Sequence, residues 1–161
     1  MMKTKIIVNI SDAKISRNPN DVIMTYALGS CIAVCLYDPG ICIGGMLHYQ
    51  LPDSKIDSDK SKDNPFMFAD TGITVLLDKL LSLGAGKNRI KTKIAGGASM
   101  DTGPKGFDIG KRNHIAIRKI MWQNGLMINA EDVGGFAPRN MYMDIADGSV
   151  MIRLEGLEKT L

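Results

Sequence analysis

Apolar residues in this chain come in short runs separated by polar corners, and only two stretches carry helical spacing. KIIVN (5–9) and DAKIS (12–16) predict short strands, and SRNPND (16–21) predicts a loop because Asn-Pro disfavours regular structure. CIAVCLY (31–37) and ICIGGMLHY (41–49) are continuous apolar runs, so each predicts a strand buried on both faces. Asp38-Pro39-Gly40 joins them and predicts a hairpin. DSKIDSDKSKDNP (53–65) has no period and predicts a mobile loop leaving the second strand. In TGITVLLDKLLSL (71–83), Ile73, Leu76, Leu77, Leu80 and Leu81 share one helical face, with Asp70 or Thr71 as cap and Gly84 as stop. RIKTKIA (89–95) alternates basic with apolar residues, which predicts a strand with one wet face, ended by Gly96-Gly97. GKRNHIAIRKIMWQN (110–124) predicts a second amphipathic helix, capped by Asp108 and stopped by Gly125, with His114 facing solvent. LMINAEDV (126–133) predicts a strand, and 141–145 with 149–154 a hairpin across Ala146-Asp147-Gly148. Eight to ten strands and two helices, with no linker or repeat, predict one α/β domain over 1–161: packed mixed β-sheets with helices on the outer faces.

Composition narrows the function. The chain has 161 residues, of which 45% are hydrophobic and 23% charged, as in ordinary globular proteins. A net charge of +3, 6% aromatic residues and no basic run with interleaved aromatics argue against a nucleic-acid partner. The apolar run in MMKTKIIVNI is too short for a signal peptide or a membrane helix, so a cytoplasmic location without membrane insertion is expected. In that reducing compartment Cys31, Cys35 and Cys42 are read as free thiols. Neither Gly-Gly pair leads into a Lys-Ser/Thr or G-x-G-x-x-G pattern, and no cofactor is expected.

YALGSCIAVCLYD (26–38) sets Gly-Ser-Cys directly against an apolar strand. A thiol that only fills a core needs no glycine before it, whereas a nucleophile benefits from a tight bend. Such a bend would free the N–H groups of Gly29, Ser30 and Cys31 to converge on an oxyanion. A thiol with an ordinary pKa of about 8.5 also needs a base within hydrogen-bond reach. A hairpin centred on Asp38-Pro39-Gly40 sets Cys31 across from His48, and Thr25 can hold the other ring nitrogen. Cys35 and Cys42 are read as core. Three alternatives stand beside this reading. The thiol and imidazole could be plain core residues; Cys31, Cys35, Cys42 and His48 could bind zinc; or the protein could be a binding module without catalysis. Phe66, Met67 and Phe68 could border a substrate groove or belong to the core.

TYALGSCIAVCLYDP, GGMLHYQLP, AGGASM, DIGKRNH and AEDVGGFAPRN, in this order, resemble the chemoreceptor glutamine deamidase family, CheD. The resemblance spans nearly the whole chain. It implies deamidation of glutamines on the cytoplasmic helices of bacterial chemoreceptors (methyl-accepting chemotaxis proteins) and, in some members, hydrolysis of receptor methyl esters. It places the catalytic cysteine on Cys31, the histidine on His48 and the hydroxyl residue on Thr25. It also implies a fold similar to the necrotizing-factor toxin deamidases. A CheC-type phosphatase that offers a pseudo-substrate helix is the implied partner.

Overall fold

The computed structural model describes residues 2–100 and 107–161. Among them, two five-stranded sheets pack face to face. In the first, β1 (Thr4–Ile7), β3 (Asp21–Leu28), β8 (Arg139–Asp144), β9 (Val150–Leu154) and β10 (Leu157–Thr160) lie side by side in that order. In the second the order is β2 (Asp12–Ser16), β5 (Ile43–Tyr49), β4 (Ile32–Asp38), β6 (Lys91–Gly96) and β7 (Ala130–Val133). The pairs β1–β3 and β6–β7 are parallel and the other neighbours antiparallel, so both sheets are mixed.

Every residue of β4 and β5 is buried, as their continuous apolar runs require. Alternation along β4 feeds two cores. Ile32, Val34 and Leu36 pack with the helices α2 (Ala69–Ser82) and α3 (Ile109–Gln123). Ala33, Cys35 and Tyr37 point the other way, into the layer between the sheets, with Ile23, Leu28, Met141, Met143 and Ile152. Both long helices therefore cover the same sheet. The Gly44-Gly45 pair makes no bulge in the β4–β5 ladder. A Cβ on Gly45 would lie 2.8 Å from Leu76 Cδ1, and one on Gly72 2.9 Å from Leu47 Cδ2. These two glycines let α2 approach β5 closely. Among the described residues no helix is long and apolar enough to cross a membrane.

Besides small shifts of element ends, such as α2 starting behind Phe68 rather than at Asp70 or Thr71 and β7 covering only the end of 126–133, three features differ from the sequence expectation. β3 is absent from the hydrophobic pattern because its apolar stretch has no two-residue period and runs directly into the loop before it. β10 is wholly exposed and exists through its pairing with β9. The 53–65 segment is not an unstructured loop. It consists of a 3₁₀ turn (Ser54–Ile56), a helix α1 (Ser58–Asp63) and the start of a second 3₁₀ turn (Pro65–Met67). The side chains of Asp53, Asp57 and Asn64 cap these turns by accepting from the amides of Lys55, Lys60 and Phe66. The Asp70 carboxylate ties Ser54 to α2 at 3.0 Å from its amide and 2.6 Å from its hydroxyl. Side-chain caps leave no apolar period to detect.

The β4–β5 hairpin is anchored by Asp38, which is 1% exposed. Its carboxylate accepts from the Gly40 amide at 2.8 Å, the Gly86 amide at 2.7 Å and Arg89 Nη2 at 2.8 Å. The Arg89 guanidinium holds its carboxyl below the usual range. Asp38→Ala would strand these donors, and urea denaturation should show a stability loss of about 2–4 kcal/mol.

Candidate active site

Cys31 occupies the corner between β3 and β4. Just before that corner the β3–β8 register shifts between Thr25 and Leu28. Ala27 takes a left-handed φ of 54° there, its amide donating to Asn140 Oδ1 at 2.9 Å. A bulge next to a strand end re-aims the chain that follows. The bend therefore rests on Ala27 rather than on Gly29, which lies outside the left-handed glycines. Gly29 meets a packing need instead, since a Cβ there would sit 3.3 Å from Met100 Cγ.

Each carbonyl of the Gly-Ser-Cys corner is held. Gly29 O accepts from the Ala98 amide at 2.8 Å, Ser30 O from Asn113 Nδ2 at 2.9 Å, and Cys31 O from the Gly97 amide at 2.8 Å. The N–H of a trans peptide points opposite to its carbonyl. The Ser30 and Cys31 amides are thus turned away from these braces, and neither meets an acceptor residue elsewhere among the described residues. Gly96 permits the crossing: its φ is 113°, and a Cβ there would lie 2.2 Å from Cys31 O. The Gly-Gly pairs act as backbone crossings, with Gly134 N donating to Gly96 O at 2.9 Å.

His48 is 1% exposed and lies on β5. Its Nδ1 is 2.8 Å from Thr25 Oγ1, across the gap between the sheets. The Thr25 hydroxyl has one proton, and it donates that proton to Val8 O at 2.7 Å. Thr25 must then accept from the ring, which fixes the proton on Nδ1 and leaves a lone pair on Nε2. Nε2 is buried and has no partner among the described residues. Burial pushes the imidazole pKa down to about 4, an effect that the Asp12 charge only partly opposes. Burial likewise raises the Cys31 thiol, outweighing its own backbone amide. At neutral pH the Cys31 side chain is a thiol and the His48 ring is neutral.

The register corrects one expectation. Ala33, not Cys31, faces His48, because four residues (39–42) close the hairpin and Cys42 takes a left-handed φ of 51°. That is a shift of two positions from the expected pairing, so Cys31 keeps the same face and becomes a diagonal neighbour. Cys31 is half-buried against the layer between the sheets, on the side to which Ala33 contributes its methyl.

The other expected residues are dispersed. Cys35 is core, 3.9 Å from Met141 Sδ, but Cys42 is exposed at the hairpin turn. The four zinc candidates are not gathered, since Cys31 and Cys42 lie beyond opposite ends of β4. His114 is half-buried and 3.1 Å from Glu131 Oε2 rather than free in solvent. Phe68 is fully buried and therefore core, while Phe66 packs half-buried against the helix-side core and Met67 is half-buried between them. Among the described residues, Tyr26 and Met100 are exposed apolar side chains next to the Cys31 corner. Asn113 was missed by sequence reasoning. It lies inside the DIGKRNH block, but its partners are backbone carbonyls that no side-chain pattern reveals.

The sequence model of the family described as CheD chemotactic sensory transduction matches residues 50–154. A protein of Solibacter usitatus named "Probable chemoreceptor glutamine deamidase CheD" is 46% identical over 98% of this chain and 93% of its own. One of Syntrophus aciditrophicus, named "Probable chemoreceptor glutamine deamidase CheD 1", is 48% identical over 94% of each chain. Among solved structures, the Bacillus licheniformis hypothetical protein YfiH matches 78% of this chain and 51% of its own at 14% identity and a TM-score of 0.49.

A buried imidazole with a depressed pKa makes stability depend on pH. Between the unfolded value of about 6.5 and the folded value of about 4, the unfolded chain binds more protons. Stability should therefore fall as pH drops from 6.5 towards 4, by at most about 1.4 kcal/mol per unit from this group. Urea titrations across that window should show a shallower slope for His48→Gln than for the wild type. Thr25→Val would leave Val8 O and Nδ1 unpaired and should cost about 1–3 kcal/mol at neutral pH.

Proposed function

The chain belongs to the CheD family, and on that premise we propose that it is a cysteine-dependent protein-glutamine deamidase acting on the cytoplasmic helices of bacterial chemoreceptors. The observation that carries the reading is the Thr25–His48 pair, whose unpartnered Nε2 belongs to the same sheet face as Cys31. The names of the relatives, which are chemoreceptor glutamine deamidases, supply the substrate class.

The reaction runs in two halves. As the Cys31 sulfur attacks the glutamine amide carbon, Nε2 of His48 takes the thiol proton. The Ser30 and Cys31 amides, turned away from their braces, stabilise the oxyanion. The imidazolium returns its proton to the nitrogen, the C–N bond breaks and ammonia leaves a thioester. Water, deprotonated by Nε2, then attacks that thioester, and Cys31 departs with the proton as a thiol. Glutamate remains. Nδ1–H stays on Thr25 throughout, so the ring carries its positive charge only in transit. A methyl ester presents the same carbonyl with methanol as leaving group, so receptor esters are substrates of the same residues. A CheC-type phosphatase that presents a pseudo-substrate helix to this opening would restrain the enzyme.

Receptor cytoplasmic fragments incubated with the protein and digested should show the mass gain of Gln-to-Glu conversion at defined sites. Cys31→Ala should abolish it and His48→Gln should slow it by about 10²–10⁴-fold. Wild-type rates in either variant would contradict the assignment and leave a binding role.

A further inference from the structure

Asn113 lies in the first half of α3 and is fully buried. Its Nδ2 donates both protons, one to Ser30 O and one to Gln50 O, each at 2.9 Å. Ser30 immediately precedes Cys31, and Gln50 follows His48 by two residues. The β4–β5 ladder stops at the Ile32–Tyr49 pair, so backbone pairing does not reach across to these two segments. One side-chain amide spans the gap that the ladder leaves. Asn113 is itself fixed by the Tyr49 hydroxyl, which donates to its main-chain carbonyl at 2.7 Å. Its Oδ1 is buried without a partner among the described residues. A position selected for packing would take an apolar residue of this size. The two protons of a planar NH₂ are what the position uses.

We propose that Asn113 is a positioning residue: it sets the distance and bearing between Cys31 and His48 by holding the Ser30 and Gln50 carbonyls to α3. This rests on the deamidase reading above. Ser30 O and the Cys31 N–H belong to one rigid peptide plane. The tether on that oxygen therefore also aims the amide assigned to the oxyanion. Asn113 touches no reacting atom. Without it the Gly97 and Ala98 braces still hold the corner, but the Ser30–Cys31 plane is free to rotate.

The test uses the full chain in a Cys42→Ser background, so that alkylation reports on Cys31 and on the buried Cys35. Asn113→Ala and Asn113→Ser are compared with the parent and with His48→Gln. Receptor-fragment deamidation gives kcat and KM, and iodoacetamide labelling across pH gives the Cys31 profile. Cys35 labelling reports loss of fold. The expected result is a kcat fall of about 100-fold with KM within a few-fold, since small misplacements of reacting groups cost that much. The Cys31 labelling profile should shift towards that of His48→Gln while Cys35 stays protected. An unchanged kcat, a loss confined to KM, or exposure of Cys35 in both variants overturns the positioning role. If instead His48→Gln leaves turnover and Cys31 labelling unchanged, it is the underlying deamidase reading that fails.

Discussion

A threonine on one sheet and a histidine on the other share a single 2.8 Å contact, and the proposed chemistry depends on it. The hydroxyl has one proton and spends it on Val8 O. The imidazole is thereby compelled to donate from Nδ1, and its lone pair is confined to Nε2. Burial then keeps the ring uncharged at neutral pH. Two ordinary effects, hydrogen-bond valence and desolvation, leave an oriented neutral base between two packed sheets. The unpartnered Nε2 is a cost that a purely structural histidine would avoid.

The thiol is held in a matching state. Burial raises its pKa, so it rests protonated at neutral pH. In the proposed mechanism activation belongs to the moment of attack, when Nε2 takes the proton. The surrounding backbone supplies the geometry. Ala98, Asn113 and Gly97 hold the carbonyls of Gly29, Ser30 and Cys31, which turns the intervening amides the other way. Glycine at 96 is what allows the two segments to pass closely enough for this.

Much of this was legible in the sequence, and the reasons for success and failure are specific. The continuous apolar runs around Asp38-Pro39-Gly40 identified β4 and β5 as a doubly buried hairpin. The expected pairing of Cys31 with His48 came from a turn assumed two residues too short, whereas Thr25 was chosen only for lying just upstream of the bend. The error preserved the side-chain face because strand side chains alternate with a period of two, and it moved Cys31 only from an opposed to a diagonal position. The capped turns at 53–65 were missed because Asp and Asn side chains stabilise them without any hydrophobic period. Phe66 and Phe68 were ambiguous for the opposite reason, since an apolar side chain suits a core and a groove equally well. Ala27 was invisible because nothing marks a left-handed alanine in advance, and the neighbouring glycine drew the inference instead. Asn113 was hidden because its two partners are main-chain oxygens brought together only by the fold.

The tautomer of His48 decides whether this base exists, and ¹⁵N NMR of the imidazole nitrogens reads it. With two histidines in the chain, a His114→Gln variant assigns the signals. His48 should show a protonated Nδ1 and a bare Nε2 at neutral pH, persisting well below pH 6.5. A protonated Nε2, or an imidazolium that forms near pH 6.5, would contradict this assignment.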